Sequence, residues 1–267
     1  MIASPPAPPR RPLRAMLGRM LAFALPPRCP GCGAVTPDDH VFCVACWRTL
    51  DFMGGPACAT CGVALPFDEG AEARCEGCLA RPPALDGMRA AVAYDAVPRR
   101  IALRLKHGRH PGLAETIARR LERLVDPAGD PVIAPVPLHR WRIWSRGYNQ
   151  SALIGRALAR RTDLPFAAEL IVRTRHTPSL RGRGRRERAK TVRDAFAVPR
   201  PAAVTGRAVL LIDDVFTTGA TANACAAALK AAGAREVRLL CWARVPLDRV
   251  EDGATIDNMP NDPNAWR

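Results

Sequence analysis

Two adjacent carboxylates, Asp213 and Asp214, are followed within a few residues by Thr217, Thr218, Gly219, Ala220 and Thr221. Hydroxyls and a glycine ahead of a helix suit a phosphate. The first backbone N–H groups of a helix lack internal partners and point outward, and glycine lets the main chain approach an anion. Two acids beside such a cradle would repel a bare polyphosphate. They make sense if they grip sugar hydroxyls or a divalent cation. A second reactive set is eight cysteines in four Cys-x-x-Cys pairs: Cys29/Cys32, Cys43/Cys46, Cys58/Cys61 and Cys75/Cys78, with 10, 11 and 13 residues between pairs. Each pair aims two thiolates at one point, and two pairs complete a tetrahedral S₄ shell for Zn²⁺. Sequential pairing gives two structural zinc sites in tandem ribbons; interleaved pairing, first with third and second with fourth, is the alternative. Gly31, Gly33, Gly62 and Gly77 are expected to supply positive φ at the knuckles.

The elements that must hold these groups follow from periodicity. Val209, Leu210, Leu211 and Ile212 form the continuous apolar run of a buried parallel strand, which would end at the acid pair. The Ala-rich residues 220–232 have helical composition. Further strands are expected at 89–94, 132–136, 170–173 and 237–242, and helices at 98–107, 113–125 and 149–161. Such alternation implies an α/β fold, a mostly parallel sheet flanked by helices with its ligand beyond the carboxyl ends of the strands. Pro137 and Asp213 both fall at those ends. The expected organisation is a Pro-rich, partly amphipathic leader (1–27), a double zinc ribbon (28–82), the α/β domain (88–246) and a disordered tail (247–267).

Length and composition bound the rest. A chain of 267 residues holds one sizeable core plus a small module. No apolar run reaches the ~18 residues of a membrane span, and the leader lacks a clear signal-peptide pattern, so a cytoplasmic location is expected. Four Cys-x-x-Cys motifs without a surrounding βαβ unit speak against thioredoxin-like redox chemistry. Cys225 and Cys241 read as small core residues, and His40 as a solvated loop histidine beside a full Cys₄ set. His107, His139 and His176 are candidate proton carriers without a supporting motif. Residues 171–200 carry ten Lys/Arg against Glu187 and Asp194, a net +8 of the chain's +15. Such charge suits pyrophosphate or a nucleic-acid backbone, whereas the 5% aromatic content weighs against base stacking.

Residues 209–221 resemble the 5-phosphoribosyl-1-pyrophosphate (PRPP) motif of type I phosphoribosyltransferases at every position. Together with the Cys-x-x-Cys ribbons, Pro135-Val136-Pro137-Leu138-His139 and Arg146-Gly147-Tyr148-Asn149-Gln150, they make residues 29–245 resemble the ComF family. The resemblance implies a type I phosphoribosyltransferase-like sheet, with Asp213 and Asp214 as catalytic acids holding the ribose 2- and 3-hydroxyls of magnesium-bound PRPP. Thr217, Thr218, Gly219, Ala220 and Thr221 would wrap the 5-phosphate. Pro137, Leu138 and His139 would contact pyrophosphate, and 173–196 would form a lid bearing Arg181, Arg183, Arg185 and Arg186. Family members carry Gln near Ser179 and Asn near Thr191, which this chain lacks. At the position of Thr217, hypoxanthine-guanine enzymes have an aspartate that assists the purine, so the resemblance speaks against salvage of that type. Two functions are implied. One is phosphoribosyl transfer to an acceptor the sequence does not name; the other is a non-catalytic DNA-uptake factor that binds single-stranded DNA or a competence helicase.

Overall fold

The computed structural model describes residues 26–108, 110–126, 129–174 and 195–246. The leader, His176, the four lid arginines and the tail lie outside the described residues. The two ribbons repeat one architecture. In each, the first Cys pair sits on a knuckle closed by an antiparallel bridge, Arg28 with Val35 and Ala57 with Ala64. The second pair sits at a short helix, α1 (Val44–Arg48) or α2 (Glu76–Ala80), with Cys43 or Cys75 at the N-cap. Gly33 and Gly62 take positive φ as expected, whereas Gly31 and Gly77 do not. Gly31 is needed for space: a Cβ there would lie 2.8 Å from the Cys46 sulfur.

The α/β part follows as β1 (Gly87–Ala93), α3 (Ala96–His107), α4 (Leu113–Leu121), β2 (Val132–Pro135), α5 (Arg140–Arg146), α6 (Gln150–Thr162), β3 (Val172–Arg173), β4 (Phe196–Ala197), β5 (Ala208–Phe216), α7 (Ala220–Ala231) and β6 (Glu236–Arg244). Four strands form one parallel sheet in the order β1-β6-β5-β2. Alternation along β5 separates the two cores. Leu210 and Ile212 pack with Ile101 of α3, Ile117 of α4 and Ile154 of α6. Val209 and Leu211 pack with Cys225 and Leu229 of α7 on the opposite face.

Three sequence expectations need correction. The strand expected at 170–173 is not a sheet member; Val172–Arg173 pairs antiparallel with Phe196–Ala197 in a separate two-stranded ribbon. The Trp- and Arg-rich α5 is additional, since about two turns carry too little periodicity to announce a helix. The motif strand runs on to Phe216, so the acid pair lies within it. No helix among the described residues is long and apolar enough to cross a membrane.

Candidate functional site

The site is made by a difference in strand length. β2 ends at Pro135, level with Ile212, and the Val136 N–H still reaches the Ile212 carbonyl at 2.9 Å. Beyond that point β5 continues beside β6 alone, Asp213 next to Cys241 and Val215 next to Ala243. One edge of the acid-bearing segment is therefore free of strand partners. Chain 136–151 fills the notch. Asn149 caps α6 by accepting from the Ser151 N–H at 2.9 Å and donates its amide to the Val136 carbonyl at 3.0 Å. The Ser151 hydroxyl then donates to Asp213 Oδ1 at 3.0 Å, and the Tyr148 hydroxyl donates to the Leu105 carbonyl at 2.6 Å.

Both acids are held by main chain and by side chains that the sequence reading missed. Asp213 Oδ1 also accepts the Asp214 N–H at 2.9 Å, and Asp214 Oδ1 accepts the Val215 N–H at 3.0 Å. Lys106 on α3 places its ammonium 3.0 Å from Asp214 Oδ2. That contact is ionic only, and Oδ2 accepts no aligned hydrogen bond among the described residues. Burial and the Asp214 charge push the Asp213 carboxyl up to about 7, against Lys106, the Asp214 N–H and the Ser151 hydroxyl. Cys225 and Cys241 are fully buried with thiols pushed up by burial and by Asp213, which fits inert core residues.

The expected phosphate cradle is a glycine turn leading into α7. Gly219 precedes α7 at φ 73°, and a Cβ there would lie 2.6 Å from the Phe216 ring, so the turn demands glycine twice over. Gly219, the N-cap residue, offers α7 no side-chain cap. The Ala220 N–H donates to Thr218 Oγ1 at 3.4 Å, and Thr217, Thr218, Gly219, Ala220 and Thr221 are all half-buried. At the expected pyrophosphate loop Pro137 is buried, while Leu138 and His139 are half-buried. The His139 carbonyl starts α5 by accepting from the Arg142 N–H at 2.9 Å. His107 is exposed at the end of α3.

The cysteines settle the pairing question. Cys29, Cys32, Cys43 and Cys46 bring their sulfurs within 4.8 Å of one another, as do Cys58, Cys61, Cys75 and Cys78. Pairing is sequential. The Cys32–Cys43 and Cys61–Cys75 sulfurs stand 3.6 and 3.7 Å apart. A tetrahedron with 2.3 Å Zn–S bonds has edges of about 3.8 Å, so each set fits zinc. His40 departs from the expected solvated state. It is half-buried, with Nδ1 2.9 Å from the Thr116 hydroxyl of α4.

A family model for the Double zinc ribbon domain matches residues 20–79, and one for the Phosphoribosyl transferase domain matches 149–267. The chain is similar to Competence protein F of Haemophilus influenzae, 30% identical over 81% of this chain and 96% of that protein. It belongs to the competence protein F (ComF) family. The DNA utilization protein YhgH of Escherichia coli is 29% identical over 81% of this chain and 89% of its own. Among solved structures, a glutamine PRPP amidotransferase from B. subtilis aligns at 13% identity and TM-score 0.37, covering 62% of this chain and 44% of its own. The chain thus spans less than half of that enzyme, and so distant a likeness carries no conclusion about activity.

Proposed function

We propose that the chain binds PRPP with Mg²⁺ at the carboxyl end of β5 and serves the uptake or use of DNA. The observation that carries this reading is the notch itself. It sets two anchored carboxylates, Asp213 half-buried and Asp214 buried behind it, beside a glycine-hinged helix start whose N-cap residue has no side chain. Thr218 and the first N–H groups of α7 would hold the 5-phosphate, and Asp213 and Asp214 would accept from the ribose 2- and 3-hydroxyls. Mg²⁺, when bound, would screen the pyrophosphate charge. Pro137, Leu138 and His139 would border the pyrophosphate; Arg181, Arg183, Arg185 and Arg186 would close over it. An acceptor nucleophile would then attack C1 of the ribose, the C1–O bond would break, and pyrophosphate would leave with the electron pair. This chain's own contribution is positioning and charge stabilisation.

The names of the relatives favour a second reading, a DNA-uptake factor using the same pocket without chemistry. An acid pair in the pocket favours PRPP, since a binder of phosphodiester backbone gains nothing from two carboxylates there. Thermal shift with PRPP and Mg²⁺ tests the binding. Saturation to about a hundred times Kd adds roughly 2.7 kcal/mol, a rise of about 5–10 °C. Asp214→Asn should cut affinity about ten- to a hundredfold. Because Asp213 must be ionised to accept both hydroxyls, affinity should climb as pH rises toward about 7 and level off above it. No shift at millimolar PRPP would end the PRPP reading, and binding without pyrophosphate release in the presence of candidate acceptors would favour the second.

A further inference from the structure

Lys106 is an amphipathic-helix lysine by sequence, but its side chain is only 15% exposed and lies against an Asp214 side chain 4% exposed. A cation so enclosed has a task. Its place is fixed from both sides in sequence. The preceding Leu105 is fully buried, and its carbonyl accepts the Tyr148 hydroxyl at 2.6 Å. Two residues later α3 stops at Gly108, where a Cβ would come within 2.9 Å of the Arg104 carbonyl. The same short stretch that anchors α3 through Tyr148 also holds Asp213 through Ser151. Segment 148–151 thus sets the distance between the ammonium and the acid pair.

We propose that Lys106 is a positioning residue for the acid pair, a built-in counter-ion. It would neutralise and orient Asp214, so that the two carboxylates take a ribose diol without a divalent cation bridging them. This rests on the PRPP reading above. Asp214 Oδ1 is aimed by the Val215 N–H and the buried Oδ2 is balanced by the ammonium, so the charge behind the half-buried Asp213 is already offset. Mg²⁺ then enters with the pyrophosphate group of the ligand and not with the carboxylates. Ribose 5-phosphate, which has the diol and the 5-phosphate but no pyrophosphate, should therefore bind independently of Mg²⁺.

Calorimetric titration of the full chain with ribose 5-phosphate, with and without Mg²⁺, and with PRPP plus Mg²⁺ tests this. Wild-type affinity for ribose 5-phosphate should change less than about twofold on adding Mg²⁺. Lys106→Met should lose about tenfold or more without Mg²⁺ and recover part of it in millimolar Mg²⁺, a dependence that a purely structural role would not create. Lys106→Arg should restore binding to within about threefold. In an Asp214→Asn background Lys106→Met should cost less than about twofold, because the two residues act as one unit. Where Lys106→Met melts too low to titrate, Lys106→Gln, which keeps a neutral donor toward Asp214, should show the same Mg²⁺ dependence. Unchanged ribose 5-phosphate binding in the Lys106 variants overturns the inference while leaving the PRPP reading intact, as does an equal loss in the Asp214→Asn background. A wild type that binds neither ligand removes the PRPP reading and this inference together.

Discussion

The ribbons and the acid pair both crowd groups that become negative, but only the acid pair carries its own cation. In the first ribbon, burial pushes the Cys29 thiol up, yet N–H donors from Cys43, Cys32 and Gly31 outweigh it and bring it down to about 7. Cys58 of the second ribbon is drawn down in the same way to about 6. Their partners go the other way: burial and neighbouring sulfurs push Cys46 and Cys78 up, and burial with the Cys58 charge takes Cys61 to about 11. Burial therefore opposes a second thiolate in each cluster, and a bound dication would offset that cost. At the acid pair Lys106 and three hydrogen bonds are already in place. One region has a sulfur set that fits a metal ion; the other already holds a resident cation against its buried carboxylate.

The ribbons also differ from each other, and their loss has the largest expected effect. Cys29, Phe42, Cys46 and Leu50 share one core cluster with α3, α4 and the sheet. Arg100 and Arg104 of α3 donate to the Gly31 and Pro30 carbonyls at 3.0 and 3.3 Å, and Arg120 lies 5.0 Å from the Trp47 ring centroid. Cys58 and Cys78 are buried but belong to neither core cluster. The second ribbon is tied by the Arg244 guanidinium, which donates to the Cys61 carbonyl at 3.1 Å, and by Gly62 lying against Met88 of β1. Cys46→Ser should lower the melting temperature by about 10 °C or more, and Cys78→Ser by less than half as much. Elemental analysis should find two zinc ions in the wild type and one in each variant. Equal melting shifts would break the distinction between a ribbon in the core and a ribbon on it.

A smaller change should act in the opposite direction at the acid pair. The folded-state value of Asp213 is raised from 3.8 to about 7, so its ionisation opposes folding more as pH climbs through that window. Asp213→Asn keeps an oxygen for the Ser151 hydroxyl and removes the half-buried charge next to the buried Asp214. The ligand-free variant should melt about 2–4 °C higher than wild type at pH 8, with little difference near pH 4, while losing PRPP. A lower melting temperature at both pH values would mean that the pair stabilises the fold and is not held for a ligand.

How much of this was legible in the sequence depends on how far apart the partners lie. Cysteine spacing and the residues from Asp213 to Thr221 are contiguous patterns, so both could be singled out directly; the zinc pairing needed three dimensions. Lys106 pairs with a residue on a distant strand, and on an amphipathic helix lysine reads as solvated. Ser151 and Tyr148 act through the notch that β2 opens by ending early, a property of strand register that no local composition encodes. Strand Ala208–Phe216 outran its apolar run because the acids sit in it with main-chain donors of their own. His40 was misread for the same reason, its partner Thr116 being 76 positions away.

That histidine gives the smallest test of how the first ribbon is joined to the α/β core. His40 adopts φ 64° and meets the hydroxyl of Thr116, which is 1% exposed. Burial, with help from Arg119, lowers its value below the usual 6.5. The unfolded chain therefore binds a proton more readily than the folded one, so the contribution is intact above about 6.5 and is lost as pH falls through that value. His110 shifts in the same direction, through burial and Arg104, and must be separated from it. His40→Asn tolerates the left-handed backbone and cannot titrate. Between pH 7 and pH 5.5 the wild type should lose about 2 °C more than this variant. An identical pH dependence in the two proteins would mean that His40 does not carry the junction, leaving Arg100, Arg104 and Arg120 to hold the first ribbon against the core.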